Sequence, residues 1–171
     1  AVTRYGLVEN SGGPGRSRGG YALVREFKIL SDEASLHVRS DRRSILPYGL
    51  QDGAPGTPSW NIINAGQDQY VIPVCPMRPI PLKKGDTWCH IQAGGGGHGE
   101  PLERPVELVL EAFLNEMISG AYASEIYGVV INKNAVDADA TRKLRAKRMK
   151  KSRDQHSHLK HFHESIGLNP I

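Results

Sequence analysis

Four of the seven histidines in this 171-residue chain crowd into one short run, His156-Ser157-His158-Leu159-Lys160-His161-Phe162-His163. Two His-x-His pairs can ligate zinc or a similar borderline metal. The spacing matches no closed finger, so a histidine-rich tail is the simpler reading and no metal site is assigned. Cys75, Cys89, His90 and His98 form a second conceivable ligand set. Cys89 and His90 are strand neighbours, however, and strand neighbours point to opposite faces. That adjacency also fails as a nucleophile–base pair, and no G-x-S-x-G run is present. Glu100 and Glu103 could serve as general acid or base, but carboxylates also suit the positive N-terminus of a helix. No catalytic residue is assigned.

Anion recognition has more support. Glu9 to Gly20 (ENSGGPGRSRGG) is a loop by composition, with Arg16 and Arg18 projecting beside Gly19 and Gly20. Backbone N–H groups and guanidinium forks of this kind can hold phosphate or carboxylate. Arg39, Arg42 and Arg43 flank Asp41, a cluster that could clamp an anion or form a local ion-pair network. The third candidate is the run Gly94–Gly97, followed by His98 and Gly99. Gly95, Gly96 and His98 are its central residues. No GK[ST] follows any glycine run, so a P-loop is rejected. Each candidate could equally form an interface, or be a plain surface turn.

The elements that must position these residues divide the chain in two. Sixteen of nineteen glycines lie at or before residue 99. The first part alternates like strands: Val2–Val8, Tyr21–Leu30, Ala34–Val38, Trp60–Asn64, Gln69–Val74 and Thr87–Gln92. Tyr21, Leu23, Phe27 and Ile29 define the apolar face of the second strand, which is expected to pair with the third as a hairpin. The prolines of residues 75–81 indicate an extended edge segment. Past Pro105, the stripe Val106, Val109, Leu110, Phe113, Leu114 and Met117 predicts an amphipathic helix, with Gly120 placed to end it. Val129–Ile131 is expected to add a strand to the sheet. Asp137 or Asp139 can cap a last helix running to about residue 153. The expected class is α+β. A β-rich, glycine-rich part occupies the N-terminal two-thirds; an amphipathic helix, a short strand and a basic helical arm follow. Residues 1–135 form the domain, and 136–171 the basic, histidine-rich arm.

Composition narrows the function. No apolar run is long enough to span a bilayer, no secretory signal is visible, and two cysteines do not make a disulfide scaffold; a reducing cytoplasm is expected. The net charge is +4, yet residues 142–153 alone carry eight cations and no acid. The remainder is therefore net acidic, which argues against nucleic acid as a partner of the whole domain.

Several long motifs identify a family. GGGGHGEPLERPVELVLEAFLNEMISGAYASEIYGVVI (94–131) resembles the C-terminal part of hydantoinase B / 5-oxoprolinase proteins. SGGPGRSRGGYALVREFKIL (11–30), VRSDRR (38–43) and PYGL with its following G-x-PG (47–56) are similar to that family in the same order. The likeness covers roughly residues 2–145. His98 stands where an aromatic is common, and Glu100 where aspartate is common. The resemblance implies ATP-dependent enzymes that phosphorylate a carbonyl compound, either opening cyclic amides or carboxylating ketones. It places ATP with Mg or Mn on an A-type partner subunit, and any divalent metal in the N-terminal part of a B-type chain, which this sequence lacks.

The expectation is a separately encoded small subunit, mainly structural, with a processed fragment as the alternative. Its partners would be an A-type ATPase and a truncated B-type chain in a hetero-oligomer. Acetone or acetophenone carboxylation is the first expected reaction, and hydantoin or oxoproline hydrolysis the second. A free-standing anion- or nucleic-acid-binding module is the third reading.

Overall fold

The structure, a computed structural model, describes residues 1–66, 68–149 and 154–167. Seven strands come first: β1 (Val2–Leu7), β2 (Leu23–Lys28), β3 (Glu33–Leu36), β4 (Trp60–Ile63), β5 (Tyr70–Val71), β6 (Ile80–Lys83) and β7 (Thr87–Ile91). A 3-10 turn at Pro101–Glu103 leads into α1 (Val106–Leu114) and α2 (Gly120–Tyr127). The short strands β8 (Ile131–Asn132) and β9 (Ala135–Val136) precede α3 (Ala138–Arg148) and α4 (Leu159–Ile166). The class is α+β, as expected. No helix among the described residues is long and apolar enough to cross a membrane.

The main sheet has five strands in the order β1-β2-β7-β4-β5, all antiparallel. β7 is therefore central, and its Cys89 and Ile91 are buried. The anticipated hairpin between the second and third strands does not form. β2 pairs with β1 and β7, while β3 pairs with β6 in a separate two-stranded ladder. Pro81 fits that ladder because its missing N–H lies on a two-stranded edge. Val129–Ile131 does not join the main sheet either; Ile131 pairs with Val136 in the small β8–β9 hairpin.

The core face of β2 also differs from expectation. Ala22 and Val24 are the fully buried positions, whereas Leu23 and Phe27 are half-buried. Val24 joins Val8, Trp60, Ile62, Cys89, Ile91 and Phe162 in one core. Phe27, on the other face, stacks on Trp88 with ring centroids 5.5 Å apart. Trp88 and Ile63 there contribute to a second core with Val38, Ile72 and Leu82, covered by the β3–β6 ladder.

α1 begins where predicted, directly after Pro105, but it ends at Asn115 rather than at Gly120. Glu116 turns left-handed (φ 58°), and Gly120 instead opens α2, whose N-cap Ser119 accepts a hydrogen bond from the Tyr122 amide at 3.1 Å. α2 closes on Gly128 at φ 62°, the left-handed cap that glycine adopts without a Cβ penalty. Val109, Ile118, Tyr122, Ile126, Tyr127 and Val129 build the third core around these two helices. Asp137 caps α3 through its Oδ1, which accepts from the Ala140 amide at 2.9 Å. Residues 150–153, the expected end of that helix, lie outside the described residues.

Residues 154–167 pack against the rest of the domain. α4 inserts Phe162 into the sheet core at 0% exposure, and His158 and His161 are buried beside it. His161 Nε2 lies 3.0 Å from Glu125 Oε2 on α2, and Asn10 Nδ2 donates to Ser165 Oγ at 3.0 Å. The basic arm is also partly a clamp. Arg145 donates to the carbonyl oxygens of Arg104 (2.7 Å) and Tyr127 (3.1 Å), and Arg148 to that of Glu125.

Candidate functional site

Three glycine-rich segments meet just beyond the end of β7. Gly94–Gly97 threads between the 11–20 loop and the 47–57 loop. Gly95 donates its N–H to Gly20 O and accepts from Gly13 N, both at 2.9 Å. Gly97 donates to Ala54 O at 2.9 Å and accepts from Leu50 N at 2.9 Å. Gly94 donates toward Thr57, whose own Oγ1 donates to Ser11 O at 2.9 Å. His98 and Ser17 exchange two main-chain hydrogen bonds, at 2.8 and 2.9 Å. The segments are extended but form no regular sheet beyond single bridges at Ser17–His98 and Leu50–His98.

Space explains the composition here. A Cβ on Gly94 would lie 1.8 Å from Ser11 O, one on Gly96 1.9 Å from Tyr48 O, and one on Gly19 1.9 Å from Gly95 O. None of the quartet has a left-handed φ. The requirement is backbone-to-backbone approach, the second of glycine's two uses. Buried hydroxyls and amides hold the junction in place. Ser11 Oγ donates to Val8 O at 2.6 Å and accepts from the Ala22 amide at 2.8 Å. The buried Tyr122 hydroxyl donates to Gly12 O at 3.1 Å. Burial raises the Tyr122 phenol well above its usual value and pushes that of Tyr127 up to about 12, so both stay neutral donors.

The candidate residues fall into two groups. Gly19, Gly20, Gly95, Gly96 and His98 come together in the junction, with the Arg16 and Arg18 backbone at its rim. Arg18 folds back over the Tyr21 ring at 3.9 Å and donates to Gly19 O. The Arg16 carbonyl accepts from Arg104 Nη1 at 3.1 Å. Arg39, Arg42 and Arg43 lie apart from them. Arg39 and Arg42 are exposed, and the Arg42 side chain makes a long 3.9 Å pair with Asp41. Arg43 turns inward: it donates to Ser59 O at 2.7 Å and stacks over Trp60 at 4.3 Å.

Arg43 and Trp60 line a cleft of about 770 Å³ between the 44–58 loop and α4, where His156 and His163 face them. Burial lowers the His163 pKa, so its ring is neutral at pH 7. This cleft brings the Arg43 cation and the Asp52 carboxylate together with an indole and imidazoles, a lining of mixed charge around an apolar wall. Next to it His158 is 1% exposed, and desolvation lowers its pKa to about 4. Its ring nitrogens face the backbone of Pro55 and Gly56 without reaching hydrogen-bond geometry.

The junction does not have the form of a nucleotide cradle. A phosphate cradle needs free backbone N–H groups. The amides of Gly13, Gly19, Gly94, Gly95, Gly97 and His98 already donate to main-chain or threonine oxygens. Three of the quartet's four amides, those of Gly94, Gly95 and Gly97, are therefore already engaged by protein oxygens. Among the described residues, no three histidine, cysteine or carboxylate side chains gather into a metal-binding group. Cys75 is exposed and Cys89 is buried in the sheet, and both are free thiols.

Asn10, Thr57, Asn61 and Arg104 escaped the sequence reading. Asn10 (φ 60°) ties the first loop to α2 by accepting from the Ser119 amide at 2.9 Å. Asn61, fully buried, accepts from Trp88 Nε1 at 3.3 Å and meets His90 Nδ1 at 2.9 Å. Arg104 is part of the Pro-Leu-Glu-Arg motif, the one signal that could have marked it.

The family model for hydantoinase B/oxoprolinase matches residues 1–101, more than half of the chain. The chain belongs to the hydantoinase B/oxoprolinase family. An uncharacterized protein of Methanocaldococcus jannaschii is 36% identical over 148 residues, covering 84% of this chain and 26% of its own length. A putative B-type component of a D-/L-hydantoinase from a Pseudomonas strain is 33% identical over 146 residues, again 84% of this chain and 24% of its own. Among solved structures, an ATP-dependent caprolactamase from Pseudomonas jessenii superposes with TM-score 0.70 at 27% identity, covering 85% of this chain and 26% of that one. A nucleotide-free acetone carboxylase shares the fold with TM-score 0.64 at 19% identity, over 90% of this chain and 26% of that one. The chain thus spans about a quarter of the length of these relatives.

Proposed function

We propose that this chain is an architectural and interface part of the B-type component of an ATP-dependent enzyme that hydrolyses a cyclic amide. The observation carrying this is the family membership together with the hydantoinase and caprolactamase names of relatives above 25% identity. In this reading the partners are an A-type ATPase subunit and a larger B-type polypeptide. ATP, its Mg or Mn, and any further divalent metal reside on those partners. The saturated amides of the glycine junction support placing the nucleotide elsewhere.

Ketone carboxylation, the first expectation from sequence, is the second reading here. It is supported only by the acetone carboxylase fold at 19% identity. The third reading, a free-standing polyanion binder, loses part of its basis because Arg145 and Arg148 of the arm are engaged in structural hydrogen bonds.

The test is ATP hydrolysis by the complex purified with this chain. Turnover that depends on a hydantoin or lactam, with stoichiometric ring opening, supports the proposal. Turnover that requires both a ketone and bicarbonate replaces it with the second reading. A chain that binds DNA in a strongly salt-dependent way, with no ATPase partner, favours the third.

A further inference from the structure

The two faces of the main sheet are covered unequally. One carries the core closed by α4. On the other, the β3–β6 ladder covers Trp88 and Ile63 but stops before β1. Paired residues on neighbouring strands share a face. Val2 pairs with Phe27, Tyr5 with Arg25 and Leu7 with Leu23, so all six line the uncovered side. Val2, Tyr5 and Leu7 are 60%, 69% and 51% exposed.

A register shift between Val2 and Arg4 is what places Val2 in this row. Without that extra residue, strict alternation from Tyr5 and Leu7 would send Val2 to the opposite face. The local geometry therefore builds a continuous apolar strip on an edge strand, where soluble proteins usually place charge instead. In the middle of the strip sits Arg25, half-buried opposite Tyr5 and His90, its Nε–H without a hydrogen-bond partner among the described residues. A carboxylate on the partner is the group that best complements the Arg25 charge.

We infer that this open face, Val2-Tyr5-Leu7 with Phe27 and Arg25, is where the larger B-type polypeptide docks, supplying apolar side chains to the row and a carboxylate to Arg25. The inference rests on the proposed subunit role. It selects the B-type chain because about three-quarters of each relative's length lies outside the part that matches this fold. The half-covered strip is continuous with a core that already uses that face.

The test places a photo-crosslinking benzoylphenylalanine at Tyr5, and separately at the fully exposed Met77, in the affinity-tagged full chain expressed in the cells that encode it. Mass spectrometry identifies the adducts. The expected result is a covalent adduct between the Tyr5 variant and a hydantoinase B-type polypeptide, at least tenfold above the Met77 variant. In parallel, Arg25→Glu lowers co-purification of that polypeptide at least tenfold, while Arg25→Lys retains it. An adduct to a second copy of this chain or to the ATPase subunit overturns the docking face. So does absence of an adduct while the B-type polypeptide still co-purifies; both outcomes leave the subunit role standing. Unchanged recovery with Arg25→Glu overturns the carboxylate contact. If no B-type polypeptide co-purifies at all, the subunit role itself fails.

Discussion

Gly94 shows how much a missing side chain can decide. Its Cβ position lies 1.8 Å from Ser11 O, while Gly20, only one loop away, has nothing within 4 Å of its own. Gly94→Ala must therefore push two backbones apart in a packed interior, costing about 3 kcal/mol or more; Gly20→Ala stays within about 0.5 kcal/mol. Denaturant titration of the two variants checks the contrast. His158 makes a second prediction. It is held neutral when folded, with a pKa of about 4; unfolded, it titrates near the ordinary value of about 6.5. The unfolded chain thus binds more protons between those values. Stability from this group is fully present above about pH 6.5 and is lost as pH falls toward 4, by about 3 kcal/mol in all. His158→Phe should flatten that part of the stability–pH curve. If the slope between about pH 6.5 and 4 is unchanged in the variant, burial of this ring is not its source. Neither residue was legible in the sequence in this role. The glycines were visible as a run, but their partners at residues 11–20 and 47–57 are non-local.

At the scale of elements, strand existence was readable and strand partnership was not. Alternation marked β2 and β7, each with buried positions, and also β1, which is exposed along nearly its whole length. It could not show that β2 pairs with β7, about sixty residues on, in place of its sequence neighbour. The core face of β2 was misjudged for a physical reason: large residues such as Phe27 were weighed over Ala22 and Val24. The fully buried side is the one crowded by the glycine loops and α4, where small residues fit. α1 started as Pro105 indicated but stopped early, since Ser119 caps a new helix and Gly120 can begin one as well as end one. The histidine run concealed a packed element. Its most telling residue is Phe162, at 0% exposure among Val24, Trp60 and Ile91. Phe162→Ala should cost about 3–5 kcal/mol and loosen α4, read as lost thermal stability and as new protease cleavage near residues 154–167. A variant that melts like wild type would mean α4 does not close the core. Asp137→Ala should cost about 1 kcal/mol through the lost α3 cap, measured by the same titration.

In the molecule as a whole, three distant glycine-rich segments are joined by main-chain hydrogen bonds into one close-packed junction. The sheet, the α1–α2 pair and α4 are assembled around it. Binding surfaces are then left to the Arg43–Trp60 cleft and the open face of β1 and β2. The family likeness was legible from contiguous motifs. The junction's purpose was not, because a glycine run reads the same whether it cradles a ligand or lets backbones touch. The measurement that separates these is amide hydrogen exchange of Gly94, Gly95 and Gly97 in the folded chain. Their N–H groups donate to Thr57, Gly20 and Ala54. A fused junction predicts protection equal to that of Cys89 and Ile91 in β7, with exchange only through global unfolding. Exchange as fast as that of the exposed turn at Gly66 would contradict it, and would return the quartet to the role of an open loop free to line an active site.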